Sequence, residues 1–487
     1  MFRDTLVSPA LSGRSPWSAR VGALLRPPIN CSATTTVEQA AALMARERTP
    51  SLLVRHERGW RVLTQEDLSA RILATGRSPK TPVGDVVVPL TASLPSDRLA
   101  GDALIFMLES GLRHVPIVDA DRRVLGVVSD VDLAGLTFRT ALNLRTTIES
   151  AKDAATVAAA GRQLPNAAWA LVEAGVDAVE ASRILTLLVE AMARRFLDLA
   201  IERLGPPPVP WAWLSLGSAA RREQGIVTDQ DHAIAFEPEG QPLEKVDHYF
   251  FDLAVAVTSG LEEAGIPKCK AKVVAEERSL RRPLEHWVIA FNDWMDDPEL
   301  GAGRQASILF DFRRSAGPLE AEASFARVIG SSPDRPRFLR RLAKQAVETP
   351  PGRVDGRALD VKHAGLTPIV NLARSYALES GVTEARTLDR LDLAKNHGRI
   401  DEETRAGLSE AFRLCWRIRM QRHAACVGDG SVPDDIIDPN TLGPLTRVEL
   451  KEAFRLVRRA QRGLRRDHRL LPNSIPILSR LPGPVAT

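Results

Sequence analysis

Apolar and polar positions in the first 136 residues follow one pattern twice. The segment Thr49–Leu68, TPSLLV…RVLTQEDL, is echoed about 65 residues later by Arg113–Leu133, RHVPIV…LGVVSDVDL. Each copy predicts a helix, a short apolar strand, a turn, a second apolar strand and the start of a polar helix. The chain therefore begins with two related α/β units.

The rest of the pattern divides the chain further. Alanine- and leucine-rich helical periodicity stops at the run GPPPVP, Gly205–Pro210, which is typical of a helix end and a domain joint. We expect a multidomain α/β and α protein. Its segments are an N-terminal tail (1–20), the paired α/β repeats (21–136), a helical linker (137–205), an α/β domain (206–332), a C-terminal helical bundle (333–470) and a Pro-rich tail (471–487).

Size and charge limit the classes of function. A chain of 487 residues is too long for one ordinary core, which favours two to four domains. The 65 basic and 61 acidic residues leave a net charge of only +4. Because nucleic-acid binding needs a clustered basic surface, we do not expect nucleic acid as a partner.

Cysteine usage and hydropathy indicate the compartment. The four cysteines lie far apart without a CxxC pair, which favours a reducing environment and argues against a zinc site or a disulfide framework. The sequence contains no uncharged apolar run of about 18 residues, so neither export nor a membrane span is predicted. The expected location is the cytoplasm.

Each repeat carries the motif Ser/Thr-x-x-Asp, as Thr64 with Asp67 and Ser129 with Asp132. One interpretation is helix capping, in which the hydroxyl and the acid satisfy free amides at a helix start. The other is nucleotide binding, in which the helix start receives a phosphate and the acid accepts from ribose hydroxyls.

The repeat pair resembles a tandem CBS domain, a module that often senses adenine nucleotides. The resemblance implies that AMP or ATP binds near Thr64, Asp67, Ser129 and Asp132. Arg61 stands where the second copy has Gly126, so the second copy is the better candidate. Since paired CBS modules commonly associate, we expect a homodimer.

The stretch WLSLGSAARREQGIVTDQDHAIAF, residues 213–236, combines a turn with two acids. We expect Trp211–Leu216 to be a buried strand that ends at Gly217 and Ser218, where the backbone can approach a phosphate. A short helix and a second strand follow, with Asp229 and Asp231 on one face of that strand. Two close carboxylates repel each other, and Mg²⁺ is a hard cation that prefers carboxylate oxygens. The plainer alternative is that Asp229 and Asp231 only border an exposed Asp-rich turn.

A third acid lies further along the chain. The run SILFDFRR, Ser307–Arg314, predicts an apolar strand with Asp311 in its middle, where a lone charge needs a counter-ion. Three carboxylates beside a phosphate-binding turn are typical of a two-metal phosphoryl-transfer site.

This order of motifs resembles the nucleotidyltransferase superfamily. The segments GSAARREQGIVTDQDHAI, YFFDLAVAVTSGLEEAGIPKC and SILFDFR, with the helical LDVKHAGLTPIVNLARSYAL, are similar to CBS-linked nucleotidyltransferases related to PII uridylyltransferase. The resemblance implies that Mg²⁺ is held by Asp229, Asp231 and Asp311, and that Gly217 and Ser218 cradle the triphosphate of ATP or UTP.

Several charged residues have two interpretations. The resemblance implies that Arg221 and Glu223 support the phosphate site, but they could form a helix-surface salt bridge. Lys362 could reach a phosphate with Asp360 orienting it, or the two could form an ordinary ion pair. Arg374 has the same two interpretations. The arginine stripe of Arg455–Arg469 is either a solvated helix face or a docking surface for an acidic protein.

The chain departs from the family pattern at three places. Ala219-Ala220 stand where Glu-Gly is usual, His232 stands where Asn is usual, and Lys270–Val273 replace a Gly-Gly and Met segment that could shape the nucleotide pocket. The leading hypothesis is an enzyme that transfers AMP or UMP to a protein acceptor of unknown identity under CBS control. The alternatives are a catalytically degenerate nucleotide sensor and an enzyme that adds nucleotides to RNA.

Overall fold

The computed structural model describes residues 19–25, 28–56, 59–87, 92–130, 132–133, 138–297, 308–356 and 358–470. Nearly all of the predicted N-terminal tail and the whole predicted Pro-rich tail lie outside these residues. Ser307, the first residue of the third predicted motif, also lies outside them.

The two N-terminal repeats fold into similar α/β units, as predicted for their strands and for the helix before each strand pair. The polar helix predicted to start after the second repeat falls largely on residues 131 and 134–137, outside the described residues. The first contains β1 (Asn30–Ser32), α1 (Val37–Glu47), β2 (Ser51–His56), β3 (Gly59–Thr64) and α2 (Gln65–Leu68). The second contains β4 (Leu94–Pro95), α3 (Ala100–Ser110), β5 (His114–Val118) and β6 (Val124–Ser129). Each three-stranded sheet has one parallel and one antiparallel pair.

Strand register shows that the repeats match over most of the antiparallel ladder, up to a register shift between Ile117 and Val118 in the second. Ser51 pairs with Thr64 as His114 pairs with Ser129, and Arg61 occupies the ladder position of Gly126. The first repeat keeps a core of its own, whereas apolar side chains of the second belong to the large core that continues into the linker. The second repeat is therefore the one that is packed onto the rest of the molecule.

Four helices form the linker: α4 (Phe138–Ser150), α5 (Ala154–Gly161), α6 (Leu164–Glu173) and α7 (Ala178–Leu204). The side chain of Asp177 caps the start of α7 by accepting from two backbone amides. The helix ends at Leu204, and Gly205 follows with a φ of +87°, a conformation that glycine adopts without steric cost. The proline run beyond it prevents the helix from continuing.

The α/β domain is built on a four-stranded sheet of order β10-β7-β8-β9. Its elements are β7 (Trp211–Leu216), α8 (Gly217–Arg221), β8 (His232–Phe236), α9 (Leu243–Glu263), β9 (Arg281–Pro283), α10 (Leu284–Asp296), β10 (Phe312–Ala316) and α11 (Ala321–Gly330). Alternate side chains of β7 enter two different apolar clusters, so this central strand is covered on both faces. The end of β7 is thereby a rigid platform for the turn at Gly217.

Two strand boundaries differ from the predictions. Strand β8 begins at His232, so Asp229 and Asp231 precede the strand instead of lying within it. Strand β10 begins at Phe312, so Asp311 lies just before the strand and not in its middle. The shifted boundaries place all three acids on the segments that lead into the strands.

The C-terminal domain is mainly helical, as expected. It contains α12 (Pro336–Glu348), β11 (Leu359–Asp360), α13 (Thr367–Glu379), α14 (Thr387–Asn396), α15 (Glu402–Gly428), β12 (Ile436–Ile437) and α16 (Pro444–Asp467). Phe412, Trp416 and Phe454 are almost fully buried where α15 and α16 pack together. A π-helical turn, Lys362–Leu366, leads into α13.

Short turns complete the chain. They are the 3-10 turns Val21–Leu24, Val83–Asp85, Arg278–Leu280, Ser332–Asp334 and Pro439–Thr441, and the π-helical turn Ser69–Leu73. Across the residues that the structure describes, helices are either too short or too polar to cross a bilayer.

Candidate functional site

The turn at Gly217 brings the predicted motifs to one point. The Leu216 amide donates to the carbonyl of Asp231 at 3.0 Å, and the Gly217 amide donates to the carbonyl of Asp311 at 2.9 Å. Gly217 has a φ of +54°, and a Cβ at this position would lie 2.9 Å from Oδ2 of Asp231. Glycine is therefore required here both by the backbone and by the carboxylate that presses against it.

Asp229 and Asp231 are held on either side of a buried anchor, Gln230. The Gln230 side chain donates to the carbonyls of Thr258 and Ile266, at 3.1 and 2.7 Å. Its backbone forms a parallel bridge with Lys268. This anchoring fixes the acids on the segment that enters β8.

The two acids lie next to the thiol of Cys269, which no sequence motif indicated as part of the site. Asp229, Asp231 and Cys269 each present a ligand atom, and these atoms lie within 4.8 Å of one another. Oδ1 of Asp231 is buried and has no hydrogen-bond partner among the described residues. Burial first, and then the charge of Asp229, raise the pKa of Asp231 to about 7.

These features fit a divalent cation. A carboxylate that is buried next to a second one is costly to ionise, and a cation between them removes that cost. Carboxylate oxygens are the ligands that Mg²⁺ prefers. The donor set is therefore suited to a bound divalent ion.

The resemblance implies that Asp311 is a Mg²⁺ ligand, but in the structure its carboxylate contacts three arginines. Arg374 donates to it through Nε at 3.0 Å and Nη2 at 2.5 Å, Arg390 donates at 2.6 Å, and Arg221 also binds it. Burial alone would raise the pKa of Asp311, but the arginines outweigh it and hold the pKa well below its usual range. The counter-ion that this apolar segment requires is supplied by protein side chains from α8, α13 and α14.

Arg221 and Glu223 form a buried pair rather than a surface salt bridge. Arg221 Nε donates to Glu223 at 2.8 Å. Glu223 also accepts from the backbone and the hydroxyl of Thr387, at 2.7 and 2.9 Å. The pair thus ties the segment after the Gly217 turn to α14 of the C-terminal domain.

The structure places Lys362 close enough to Asp231 for their charges to interact. Its positive charge lowers the pKa of Asp231, against the larger effects of burial and Asp229. Asp360 does not pair with Lys362, because its carboxylate accepts from the backbone and ring nitrogens of His363, at 2.8 and 2.9 Å. Lys362 is therefore a basic side chain of the C-terminal domain whose charge acts on Asp231.

His232 connects the acidic segment to the loop after Cys269. Its Nδ1 accepts from the Ala275 amide at 3.0 Å, and its Nε2 lies 3.1 Å from the side-chain oxygen of Gln230. Burial lowers the pKa of His232 to about 3, so the ring is neutral with its proton on Nε2. His232 is therefore fixed by Gln230 on one side and by the segment that follows Cys269 on the other.

In both N-terminal repeats the Ser/Thr-x-x-Asp motif has the hydrogen bonds of a capping box, and in the first repeat it begins α2. Thr64 exchanges hydrogen bonds with Asp67 through its hydroxyl and its amide, and Ser129 does the same with Asp132. The capping interpretation matches this geometry. Nucleotide binding at these residues stays a prediction.

A contact that no short motif predicted joins the second repeat to the candidate site. Glu109, in α3, accepts from Arg183 of α7 at 2.5 Å and pairs with Arg222, the residue that follows α8. The carbonyls of Ala219 and Ala220 in α8 accept from Arg313, which also binds Glu190 of α7 at 2.5 Å. Helix α8 is therefore held by both the second repeat and the linker.

Family models match most of this arrangement. The family described as "Putative nucleotidyltransferase DUF294" matches residues 162–301, which include Gly217, Asp229 and Asp231. "Putative nucleotidyltransferase substrate binding domain" matches residues 336–468, and "CBS domain" matches residues 83–137. The chain belongs to the CBS-linked DUF294 nucleotidyltransferase family. Asp311 of this CBS–DUF294 protein lies between the two matched DUF294 segments.

Curated relatives and solved structures match shorter parts of the CBS–DUF294 protein. The choline transport ATP-binding protein OpuBA of Bacillus subtilis is 31% identical over 111 residues, which are 23% of this chain and 28% of OpuBA. The CBS domain-containing protein YhcV of the same species is 32% identical over 104 residues, 21% of this chain and 74% of YhcV. A CBS domain protein of Pyrobaculum aerophilum, solved with AMP, is 22% identical, with a TM-score of 0.23 over 24% of this chain and 92% of that protein.

Proposed function

We propose that the CBS–DUF294 protein is a Mg²⁺-dependent nucleotidyltransferase that transfers a nucleoside monophosphate from ATP or UTP to an acceptor protein. The observation that carries the proposal is the carboxylate of Asp231, which lies beside Asp229. Its Oδ1 is buried without a hydrogen-bond partner among the described residues, and its Oδ2 lies against Gly217. The family match over these residues supports the same class of reaction.

Each residue of the candidate site would have a separate role in the transfer reaction. Asp229 and Asp231 would hold Mg²⁺, which neutralises phosphate charge and positions the reactants when bound. The glycine at 217 and the neighbouring Ser218 would leave space for the triphosphate, and Lys362 would add positive charge from the C-terminal domain. An acceptor hydroxyl would form a bond to the α-phosphorus as the bond to the β-phosphate oxygen breaks; pyrophosphate leaves, and the hydroxyl proton goes to solvent.

We further propose that an adenine nucleotide, AMP or ATP, at the CBS pair regulates transfer. The contact between Glu109 and Arg222 supports this, because it links α3 of the second repeat to the end of α8 without an intervening element. Movement of α3 would change the position of the turn that receives the triphosphate.

A labelling experiment tests the transfer reaction. The purified chain is incubated with Mg²⁺, cell extract, and ATP or UTP labelled at either the α- or the γ-phosphate. We expect protein to be labelled from the α-position only, and Asp231→Asn to abolish the label. Glu244→Gln, on the exposed start of α9, is the matched control and should label normally. Labelling from the γ-position that depends on the added chain, or unchanged chain-dependent labelling by Asp231→Asn, contradicts the proposal.

One observation favours a second function. Because Asp311 is fully occupied by arginines, the chain could bind a metal–nucleotide complex without transferring it, as a nucleotide-sensing signalling protein. Mg²⁺-dependent ATP binding with no labelled product would identify this sensor. Label in RNA would instead identify an RNA-modifying enzyme.

A further inference from the structure

Cys269 is held against the acidic pair by backbone pairing. The Gln230 amide donates to the carbonyl of Pro267 at 3.0 Å, and Gln230 bridges Lys268 in parallel. The next residue on each segment is then Asp231 on one side and Cys269 on the other. The Cys269 carbonyl accepts from the Lys272 amide at 2.8 Å, which closes a tight turn and fixes the thiol.

The surroundings leave a place for a cation that includes this sulfur. Gly217 closes one side, since its Cβ position lies 2.9 Å from Oδ2 of Asp231. Oδ1 of the same carboxylate is buried without a hydrogen-bond partner in the part of the chain that the structure describes. Within those residues, Asp229, Asp231 and Cys269 make up the group of three metal-ligating side chains.

The chemistry of these donors differs from that of a purely acidic site. Mg²⁺ is a hard ion that takes oxygen ligands, whereas sulfur favours the borderline ions of the first transition row. A thiol that binds such an ion gives up its proton to solvent as the metal–sulfur bond forms. Two carboxylates and one thiolate together neutralise a divalent charge and leave one extra negative charge near Lys362.

We propose that Asp229, Asp231 and Cys269 form a three-ligand site for a borderline divalent cation of the Mn²⁺, Co²⁺ or Zn²⁺ class. The inference rests on the proposed function in that it assigns the cation of the same site. It goes further by making Cys269 a metal ligand, so that Mg²⁺ uses the carboxylates alone while a borderline ion binds all three residues.

Cobalt provides a probe that does not depend on activity. The full-length reduced chain is titrated with Co²⁺, and the near-ultraviolet thiolate-to-cobalt charge-transfer band is recorded. We expect the band in the wild type, its loss in both Cys269→Ser and Cys269→Ala, and its retention in Cys415→Ser, whose thiol is buried among apolar side chains. Thermal melting of each variant checks folding.

The outcomes separate this inference from the proposed function. Cobalt binding by the wild type without a sulfur band, no cobalt binding, or a band that survives in both Cys269 variants overturns the thiolate ligand. Mg²⁺-dependent labelling of protein is measured on the same samples. Labelling without the band would support the proposed transferase and contradict the thiolate ligand. The band without labelling would support the three-ligand site and contradict the proposed transferase.

Discussion

Glu109 and Arg222 form an ion pair that connects the second CBS repeat to the helical turn after Gly217. Arg222 is in the left-handed conformation with a φ of +57°, and its neighbour Arg221 binds both Glu223 and Asp311. Glu109 of the CBS pair is thus linked, through Arg222 and its chain neighbour Arg221, to the network that joins the α/β and C-terminal domains. Such a chain of contacts is able to carry a coupling free energy between two sites.

Replacing Glu109 by Gln should weaken communication between the CBS pair and the nucleotide site. If AMP at the CBS pair changes ATP affinity by about 1–3 kcal/mol in the wild type, that effect should fall severalfold in the variant, with AMP affinity itself unchanged. Calorimetric ATP titrations with and without AMP measure it. Asp121→Asn, at an exposed turn of the same repeat, is the control; a full AMP effect in Glu109→Gln contradicts the role of this pair.

Replacing Gly217 by Ala should damage the site through crowding as well as backbone strain. The added Cβ would lie 2.9 Å from Asp231 Oδ2 and 3.1 Å from a methyl of Ile308. Gly240→Ala is the matched control, because Gly240 also has a positive φ, +78°, but has no atom within 4 Å of its Cβ position. Both variants should lose about 1–3 kcal/mol from strain, and only Gly217→Ala should lose divalent-ion and ATP binding. Equal ATP affinity in the two variants would show that the contact with Asp231 is unimportant.

Removing one arginine from Asp311 should destabilise the domain interface. Arg390 and Asp311 are both fully buried. Asp311 keeps Arg374 and Arg221, so Arg390→Met should cost about 1–3 kcal/mol through the lost hydrogen bonds to Asp311 and to the carbonyls of Glu384 and Phe310. Chemical denaturation followed by tryptophan fluorescence measures the loss. Arg455→Met, which breaks an exposed pair with Glu452, should change stability little. Similar losses for both arginines would count against a special role for the buried cluster.

The same cluster predicts an acid-labile fold. The arginines hold the pKa of Asp311 below its ordinary value of 3.8, so protonation favours the unfolded chain. The stabilisation by this group is fully present above about pH 4 and is lost as the pH falls below it. Melting temperature should therefore decline more steeply with acidification in the wild type than in Asp311→Asn. Parallel declines would mean that Asp311 does not titrate in this way.

Local patterns predicted the fold better than they predicted contacts between domains. The two CBS repeats, the helix end at Leu204 and the strand before Gly217 follow from periodicity and from turn residues near each other in sequence. Both later strands begin after the acids, at His232 and Phe312, and not before them as predicted. An apolar run in the sequence does not mark where strand pairing begins.

The partners of the site residues depended on long-range packing. The apolar run around Asp311 correctly indicated a need for a counter-ion, but the choice of arginine depends on how α13 and α14 approach the sheet. Arg374 carried a weak signal, as a charge within the apolar stretch VNLARSYAL. Cys269 and Glu109 carried none, since only the register between Gln230 and Lys268, and the packing of α3 on α7, bring them to the site.

The most direct measurement is pyrophosphate release by the purified chain with Mg²⁺, acceptor-containing extract and each of the four nucleoside triphosphates. We expect release with ATP or UTP by the wild type and by Glu244→Gln, and none by Asp229→Asn or Asp231→Asn that melt as the wild type does. Release that persists in both aspartate variants, or its absence from the wild type with all four triphosphates, would contradict transfer at the Asp229–Asp231 pair.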